Sequence, residues 1–226
     1  AKGFKPSHFS FNVAGGRCEV CEGEGVITVG MQFMADLKLK CENCSGKRYS
    51  EEVLEVTWNG KNIHEILSMT VEDAILFFAE DRGSKTTASE RRLTSKLQPL
   101  FDVGLGYVSL GQGSNTLSGG EAQRIKLATF LSRGDKQGHT LFVFDEPTTG
   151  LHVHDVSKLI ESFTRLINQG HSIIVIEHQM DVIKSADYVI DLGPEGGEAG
   201  GSLLFTGTPE ELAKCKESIT GQHLAL

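Results

Sequence analysis

The sequence predicts an α/β fold with a mostly parallel sheet, joined to a mainly helical subdomain and a four-cysteine β-hairpin module. Three observations carry that expectation. Leu141-Phe142-Val143-Phe144 and Ile173-Ile174-Val175-Ile176 are continuous apolar runs of strand length, the pattern of parallel strands buried on both faces. Between them, residues 153–168 place Val156, Leu159, Ile160, Phe163 and Ile167 at helical spacing, completing a strand–helix–strand unit. Far upstream, two C-x2-C pairs, Cys18/Cys21 and Cys41/Cys44, bracket a segment that alternates with period two.

That alternating segment is the first element in order. Ile27, Val29, Met31 and Phe33 share one face, and Leu37 and Leu39 follow a turn expected near Ala35–Asp36. The spacing predicts a β-hairpin with a C-x2-C at the base of each arm. Val53, Leu54, Val56 and Trp58 lead into Asn59-Gly60, a turn signal. Residues 64–100 read as helical, with Leu93, Leu97 and Leu100 on one stripe and a polar loop around Gly83–Ser89. After the two apolar runs, Tyr188–Leu192 is expected as a third strand and Leu203–Phe205 as a last one. Thr208-Pro209-Glu210-Glu211 is a capping box with Pro at the first helical position, so a helix starts there. The divisions expected are 1–50, a zinc-binding hairpin module; 51–115, a mainly helical subdomain; and 116–226, the α/β core.

Composition narrows the function classes. The 226 residues are 39% hydrophobic, and no apolar run approaches the roughly 18 residues of a membrane span. No secretion signal is visible at the start, so the expectation is a cytoplasmic protein without membrane contact. Ala1 rather than Met opens the chain, which suggests a fragment. A net charge of −8 excludes a generally basic nucleic-acid binder. Residues 1–50 nevertheless hold seven Lys/Arg against five Asp/Glu, leaving −10 on the remainder. Phosphate contacts are therefore expected locally, in the N-terminal fifth.

With no secretory signal, paired C-x2-C motifs read as metal before disulfide. Four thiolates in this spacing suit tetrahedral Zn²⁺, and a closed four-cysteine site is structural rather than catalytic. Redox pairs or unligated thiols are the competing reading. Lys38, Lys40, Lys47 and Arg48 cluster on and beside the hairpin and are the candidate DNA contacts, against the alternative of a solvated charged face. Cys215 is expected packed on an amphipathic terminal helix.

The most specific stretch is Leu117-Ser118-Gly119-Gly120-Glu121-Ala122-Gln123. Two glycines allow close backbone approach to an anion, and the run from Glu121 to Leu131 is helical. A phosphate at that helix N-terminus would meet unpaired N–H groups and the positive end of the dipole, with the Ser118 hydroxyl beside it. An ordinary Ser-Gly-Gly turn is the plainer alternative. Downstream, Asp145-Glu146 end the first apolar run. In phosphoryl-transfer sites such a first acid holds Mg²⁺, often through water, and the second orients or deprotonates the attacking water. His178, after Glu177, ends the next run. Ligands of open α/β sheets lie at the carboxyl ends of strands, so Asp145, Glu146 and His178 are expected in one crevice.

In this order these motifs resemble the ABC ATPases, where they are the signature loop, the Walker B strand and a switch histidine contacting the γ-phosphate. Within that superfamily the chain resembles the UvrA family. The resemblance is carried by Cys18-x-x-Cys21-x-Gly23-x-Gly25, Cys41-x-x-Cys44-x-Gly46-Lys47-Arg48, Phe9-Ser10-Phe11-Asn12, Gly104-Leu105-Gly106-Tyr107 and Ile190-Asp191-Leu192-Gly193-Pro194-Glu195-Gly196-Gly197. His8 stands where that pattern has Arg, and Gly150-Leu151-His152 where transporter ATPases have an Asp.

The resemblance covers about Gly3 to Leu224 and implies the C-terminal part of an ABC-type P-loop NTPase with a helical signature subdomain. It implies ATP with Mg²⁺, bound through Ser118, Gly119, Gly120, Gln123 and Asp145, with Glu146 and His178 catalytic. It also implies damaged double-stranded DNA, UvrB and a second UvrA protomer as partners in nucleotide excision repair.

A P-loop needs Gly-x4-Gly-Lys-Ser/Thr. The Gly-Lys pairs here, Gly46-Lys47 and Gly60-Lys61, are followed by Arg and Asn. The expectation is that the P-loop lies upstream of Ala1 and that the chain alone is inactive. In the family each ATP is sandwiched between the P-loop of one half and the signature loop of the other. Ser118–Gly120 and Asp145-Glu146 are thus expected to serve two different nucleotides. Two competing readings are a zinc-stabilised DNA-binding module without ATPase activity, and a UvrA-like paralogue of the antibiotic-resistance type.

Overall fold

The computed structural model describes residues 3–31, 34–80, 87–132, 138–193 and 201–225, with backbone alone at 34 and 35. Phe33, residues 83–86 of the expected polar loop and 194–197 of the Ile190–Gly197 motif lie outside these. The chain divides into two compact units, Ala1–Ala74 with Val108–Gln112, and Ile75–Tyr107 with Gly113–Leu226.

In the first unit, β1 (Val26–Met31) and β2 (Met34–Lys40) form the expected antiparallel hairpin. Ile27 pairs with Leu39 and Val29 with Leu37, so the apolar residues share one face. Met31 pairs with Met34, which places the reversal earlier than Ala35–Asp36; those two residues belong to β2. A register irregularity between Val29 and Met31 absorbs the offset, which alternation by itself does not encode.

The base of the hairpin is closed by Arg17 bridging to Tyr49 and by Ser50 N–H donating to the Gly16 carbonyl at 3.0 Å. Tyr49 is buried and donates from Oη to the Phe9 carbonyl at 2.9 Å. Gly23 is required here: its φ is +89°, and a Cβ would stand 2.4 Å from the Phe11 carbonyl oxygen. After the short helix α1 (Glu51–Leu54), β3 (Thr57–Trp58) and β4 (Lys61–Asn62) pair across Asn59-Gly60. Both turn residues have positive φ, 50° and 78°, the requirement of a type I′ hairpin. Asn62 then caps α2 (Ile63–Leu67), with Glu65 completing the capping box.

Two longer helices come next, α3 (Val71–Ala79) and α4 (Ala88–Asp102), the latter capped by Thr87 and Glu90. Of the expected stripe on α4, Leu93 is exposed and Leu97 and Leu100 are half-buried. α5 (Gly119–Leu131) precedes β5 (Leu141–Asp145), and α6 (Val153–Asn168) links β5 to β6 (Ser172–Ile176). β5 and β6 pair in parallel, as expected for strands joined by a crossover helix. α6 buries Val156, Leu159, Phe163 and Leu166; Ile167 is exposed instead, because the buried stripe turns toward Leu166. Phe130 of α5 meets Phe142 edge-on at 4.7 Å, and Phe163 of α6 meets Phe144 at 5.0 Å. Both helices therefore cover the same face of β5.

Two expectations about the sheet change. The apolar runs are covered on one face: Phe144 is buried, while Val143 is 62% exposed and Ile174 and Ile176 are also exposed. α5 and α6 pack on the Phe142/Phe144 side. The expected third strand, β7 (Val189–Gly193), follows the short helix α7 (Met180–Lys184) and pairs antiparallel with β8 (Ser202–Gly207). Chain closeness explains this, since a short connection favours an antiparallel neighbour. α8 (Pro209–Leu212) starts at the capping box of Thr208 and Glu211. Cys215 lies between α8 and α9 (Ile219–Leu224), not on a continuous terminal helix, and is half-buried. Among the described residues no helix is long and apolar enough to cross a membrane.

Candidate metal and nucleotide sites

The hairpin brings the four cysteines together. The Sγ atoms of Cys18, Cys21, Cys41 and Cys44 all lie within 4.8 Å of one another, and all four residues are buried. Cys18 to Cys41 is 4.0 Å and Cys21 to Cys44 is 3.6 Å. A disulfide would need about 2.05 Å. Tetrahedral thiolates at about 2.3 Å from a zinc ion stand about 3.8 Å apart, which the observed spacings bracket. The four side chains fit one metal ion.

Donors outside the cluster already point at the sulfurs: Gly25 N–H to Cys21 at 3.3 Å and Asn43 Nδ2 to Cys18 at 3.4 Å. Such contacts orient ligands and stabilise thiolates. Burial opposes ionisation at Cys18, but the Asn43 amide and backbone N–H groups outweigh it and bring its pKa down to about 6. At Cys44 burial prevails, and the pKa is pushed up to about 12.

Of the candidate DNA contacts, Lys38 and Lys40 are exposed on β2 and Lys47 is exposed beyond Cys44. Lys38 pairs with Thr28 and Lys40 with Val26, on the face opposite Leu37 and Leu39. Arg48 is differently placed. Its Nη1 donates to the Gly111 carbonyl at 2.6 Å and its guanidinium lies 5.3 Å from the Phe11 ring centroid.

In the second unit the signature residues form a helix N-terminus. Ser118 caps α5: its Oγ accepts from Glu121 N–H at 3.2 Å, and Glu121 Oε2 accepts from Ser118 N–H at 2.8 Å. Tyr107 donates to the other Glu121 oxygen at 2.7 Å, which holds that carboxyl below its usual range. A Cβ at Gly119 would meet nothing within 4 Å, so open space faces this terminus. At Gly120 the same Cβ would stand 3.2 Å from both Arg124 Nη1 and the Thr149 carbonyl. The first glycine leaves room outward, and the second allows close approach inward.

The two apolar runs end side by side. Asp145 pairs with Ile176 in the parallel ladder, and Glu146 N–H donates to the Ile176 carbonyl at 2.9 Å. Asp145, Glu146, Glu177 and His178 therefore lie at one carboxyl end. Glu146 Oε1 is 4.0 Å from His178 Nδ1, and both side chains are largely exposed. Glu146 has φ +44°, an uncommon conformation for a residue with a Cβ.

Two residues that the sequence did not mark for a role organise this end. Glu177 Oε1 accepts from Thr148 N–H at 2.9 Å and from Thr148 Oγ1, while Oε2 accepts from His178 N–H at 3.0 Å and Gln179 N–H at 3.3 Å. Burial opposes its charge, and these four donors outweigh it and hold its pKa below the ordinary value. Arg124 is fully buried at 0% exposure and donates from Nη1 to the Pro147 and Thr149 carbonyls. Its neighbour Gln123 donates to the Asp145 carbonyl at 3.1 Å, so this amide faces the strand rather than solvent. An arginine next to a signature glutamine is the available sequence signal for this, but it does not say which carbonyls are gripped.

No protein-family model matches the chain. Among curated proteins it is 55% identical over 223 residues to the UvrABC system protein A of Clostridium perfringens, and 52% identical over 223 residues to that of Bacillus subtilis. Each alignment takes in 99% of this chain, which spans 23% and 22% of those relatives respectively. Among solved structures it matches UvrA2 from Deinococcus radiodurans with a TM-score of 0.80 and 45% identity, covering 99% of this chain and 26% of that one. With identity of this order along nearly its whole length, on a cysteine cluster and strand-end acids placed as described, the chain matches one segment of the UvrA proteins.

Proposed function

We propose that this chain is the signature, Walker B and zinc-bearing segment of an ATP-driven sensor of damaged DNA in nucleotide excision repair. The observation that carries the proposal is one geometry: Asp145, Glu146 and His178 at the carboxyl end of a parallel pair, with the Ser118 helix N-terminus braced against the same loop. Identity to UvrABC system protein A supports the process in which that site works.

Asp145 would hold Mg²⁺ through water, and the ion would offset charge on the transferred phosphoryl group. Glu146 is exposed and able to accept a proton from an attacking water. His178, 4.0 Å away, is placed to contact the γ-phosphate. Ser118, Gly119 and Gly120 present the N-terminal amides of α5 to a second nucleotide, held otherwise by another ATPase half. Gln123 serves this site indirectly, through the Asp145 carbonyl. A single Zn²⁺ at Cys18, Cys21, Cys41 and Cys44 would hold the hairpin, with Lys38, Lys40 and Lys47 as phosphate contacts to a damaged duplex. The division into a hairpin module at 1–50, a helical subdomain at 51–115 and a core at 116–226 follows these roles. UvrB and a second UvrA protomer are the partners, in the cytoplasm.

The test uses full-length UvrA carrying this segment. Hydrolysis of ATP and preference for a lesion-bearing over an intact duplex are expected, and both should fail with Asp145→Ala. Retention of full ATP turnover by Asp145→Ala would refute the site. The chain by itself is expected to show negligible turnover, because P-loop amides and lysine supply most phosphate contacts. Turnover by the isolated chain, abolished by Glu146→Gln, would overturn the two-half arrangement.

A further inference from the structure

The loop that carries the catalytic acid is held from two sides. On one side β6 supplies the Ile176 carbonyl to Glu146 N–H, and Glu177 accepts from both N–H and Oγ1 of Thr148. On the other side α5 grips three alternate carbonyls: Gln123 takes Asp145, and Arg124 takes Pro147 and, at 3.4 Å, Thr149. Between these two sets of contacts lies Glu146, at φ +44°. A left-handed residue with a Cβ persists where its surroundings over-determine it, and such residues concentrate at working sites.

Arg124 is an unusual choice for mere packing. It is fully buried, its Nε is without a hydrogen-bond partner among the described residues, and burial draws its pKa down. A buried guanidinium with an idle donor is disfavoured unless its remaining donors hold something specific. Here they hold the loop immediately after the acid. Nη2 is steadied by the Tyr107 hydroxyl at 3.4 Å, and Tyr107 in turn donates to Glu121, the residue that closes the Ser118 cap.

We propose that Arg124 is a positioning residue for hydrolysis, which fastens the signature helix to the loop of Glu146 and thereby sets the acid's backbone conformation. This rests on the ATPase reading of the same site and deepens it. Because Ser118 and Arg124 belong to one helix, a phosphate seated at the N-terminus of α5 bears on the acid that serves the other nucleotide. The two sites are thus coupled through four residues: Ser118, Glu121, Tyr107 and Arg124.

The experiment takes full-length UvrA carrying this segment and compares Arg124→Ala, Arg124→Lys and Tyr107→Phe with the unaltered protein. For Arg124→Ala, kcat is expected to fall by about 100-fold, the scale of a misplaced reacting group, with the KM for ATP within about threefold. Added guanidinium ion should restore part of that rate, and none of the rate lost in Glu146→Gln. Arg124→Lys, a point donor in place of a fork, should rescue little. Amide exchange at Thr149, whose N–H donates to the Glu146 carbonyl, should quicken by at least about tenfold while amides of α6 stay protected.

If the Arg124 variants fail to fold, Tyr107→Phe decides. Tyr107 is 45% exposed, so its loss is tolerable, and it should still lower kcat by roughly threefold to tenfold and quicken exchange at Thr149. Unchanged kcat, or unchanged exchange at Thr149, in the folded variants overturns the proposal. An unaltered protein that turns over no ATP would sink the ATPase reading instead, and the exchange measurement would still decide whether Arg124 fixes the loop.

Discussion

Glu146 and His178 face each other across the carboxyl end of the β5–β6 pair, with Oε1 and Nδ1 4.0 Å apart. The side chains are 56% and 80% exposed, so the contact is weak and solvent-screened. They contribute little to the fold.

Glu146→Gln should therefore leave stability within about 0.5 kcal/mol. In full-length UvrA carrying this segment it should permit ATP binding and lower hydrolysis by roughly two to four powers of ten, since an amide accepts a hydrogen bond but cannot take a proton from water. His178→Ala should likewise impair hydrolysis more than binding. Single-turnover rates beside nucleotide affinity check both; a loss of affinity equal to the loss of rate would count against these roles.

Gly119→Asp addresses the two-site arrangement. Open space surrounds the position, so the substitution should leave β5 and its acids undisturbed. It would set a negative charge where a phosphate must approach α5, and so damage the nucleotide held by the other half. Occupancy resolved at the two sites is the measurement. If Gly119→Asp empties the site served by Glu146 and leaves the opposite site filled, the arrangement is wrong.

Cys41 is buried at 0% exposure inside the cysteine cluster. Structural metal binding is folding energy, so Cys41→Ser should unfold residues 15–50 and leave the β5–β6 unit intact. Metal analysis should find one zinc per chain, lost with this substitution. Well under one zinc in protein prepared without chelator would contradict the assignment.

Glu177 supplies a pH dependence. Its folded pKa lies below the ordinary 4.5, so its contribution is present above that value and is lost as pH falls through the folded pKa. Loosening of the Pro147–Gly150 loop is therefore expected on acidification below pH 4.5. Glu177→Gln should loosen the loop already at neutral pH, at a cost of about 1 kcal/mol for a half-buried acceptor whose charged hydrogen bonds are weakened. Amide exchange at Thr148 followed against pH is the check; identical profiles for both proteins would exclude the role.

The parts of this protein legible in its sequence are those carried by neighbours a few residues apart. The C-x2-C spacing announced the cluster. Asn59-Gly60 announced a turn, and Thr208 with Glu211 a helix start; each is local chemistry acting between residues one to three apart in the chain. Glu121 to Leu131 reads as a helix for the same reason, and the structure starts that helix at Gly119. Tertiary structure alone decided that β7 pairs with β8, that the hairpin reverses ahead of Ala35, and that Arg124 and Glu177 hold opposite sides of one loop. Those partners lie 23 and 29 residues apart in the chain, and their meeting depends on how helices and strands pack. No period or motif records which distant carbonyl a buried guanidinium will reach. Sequence determined which chemistry was available; packing determined which side chains hold it in place.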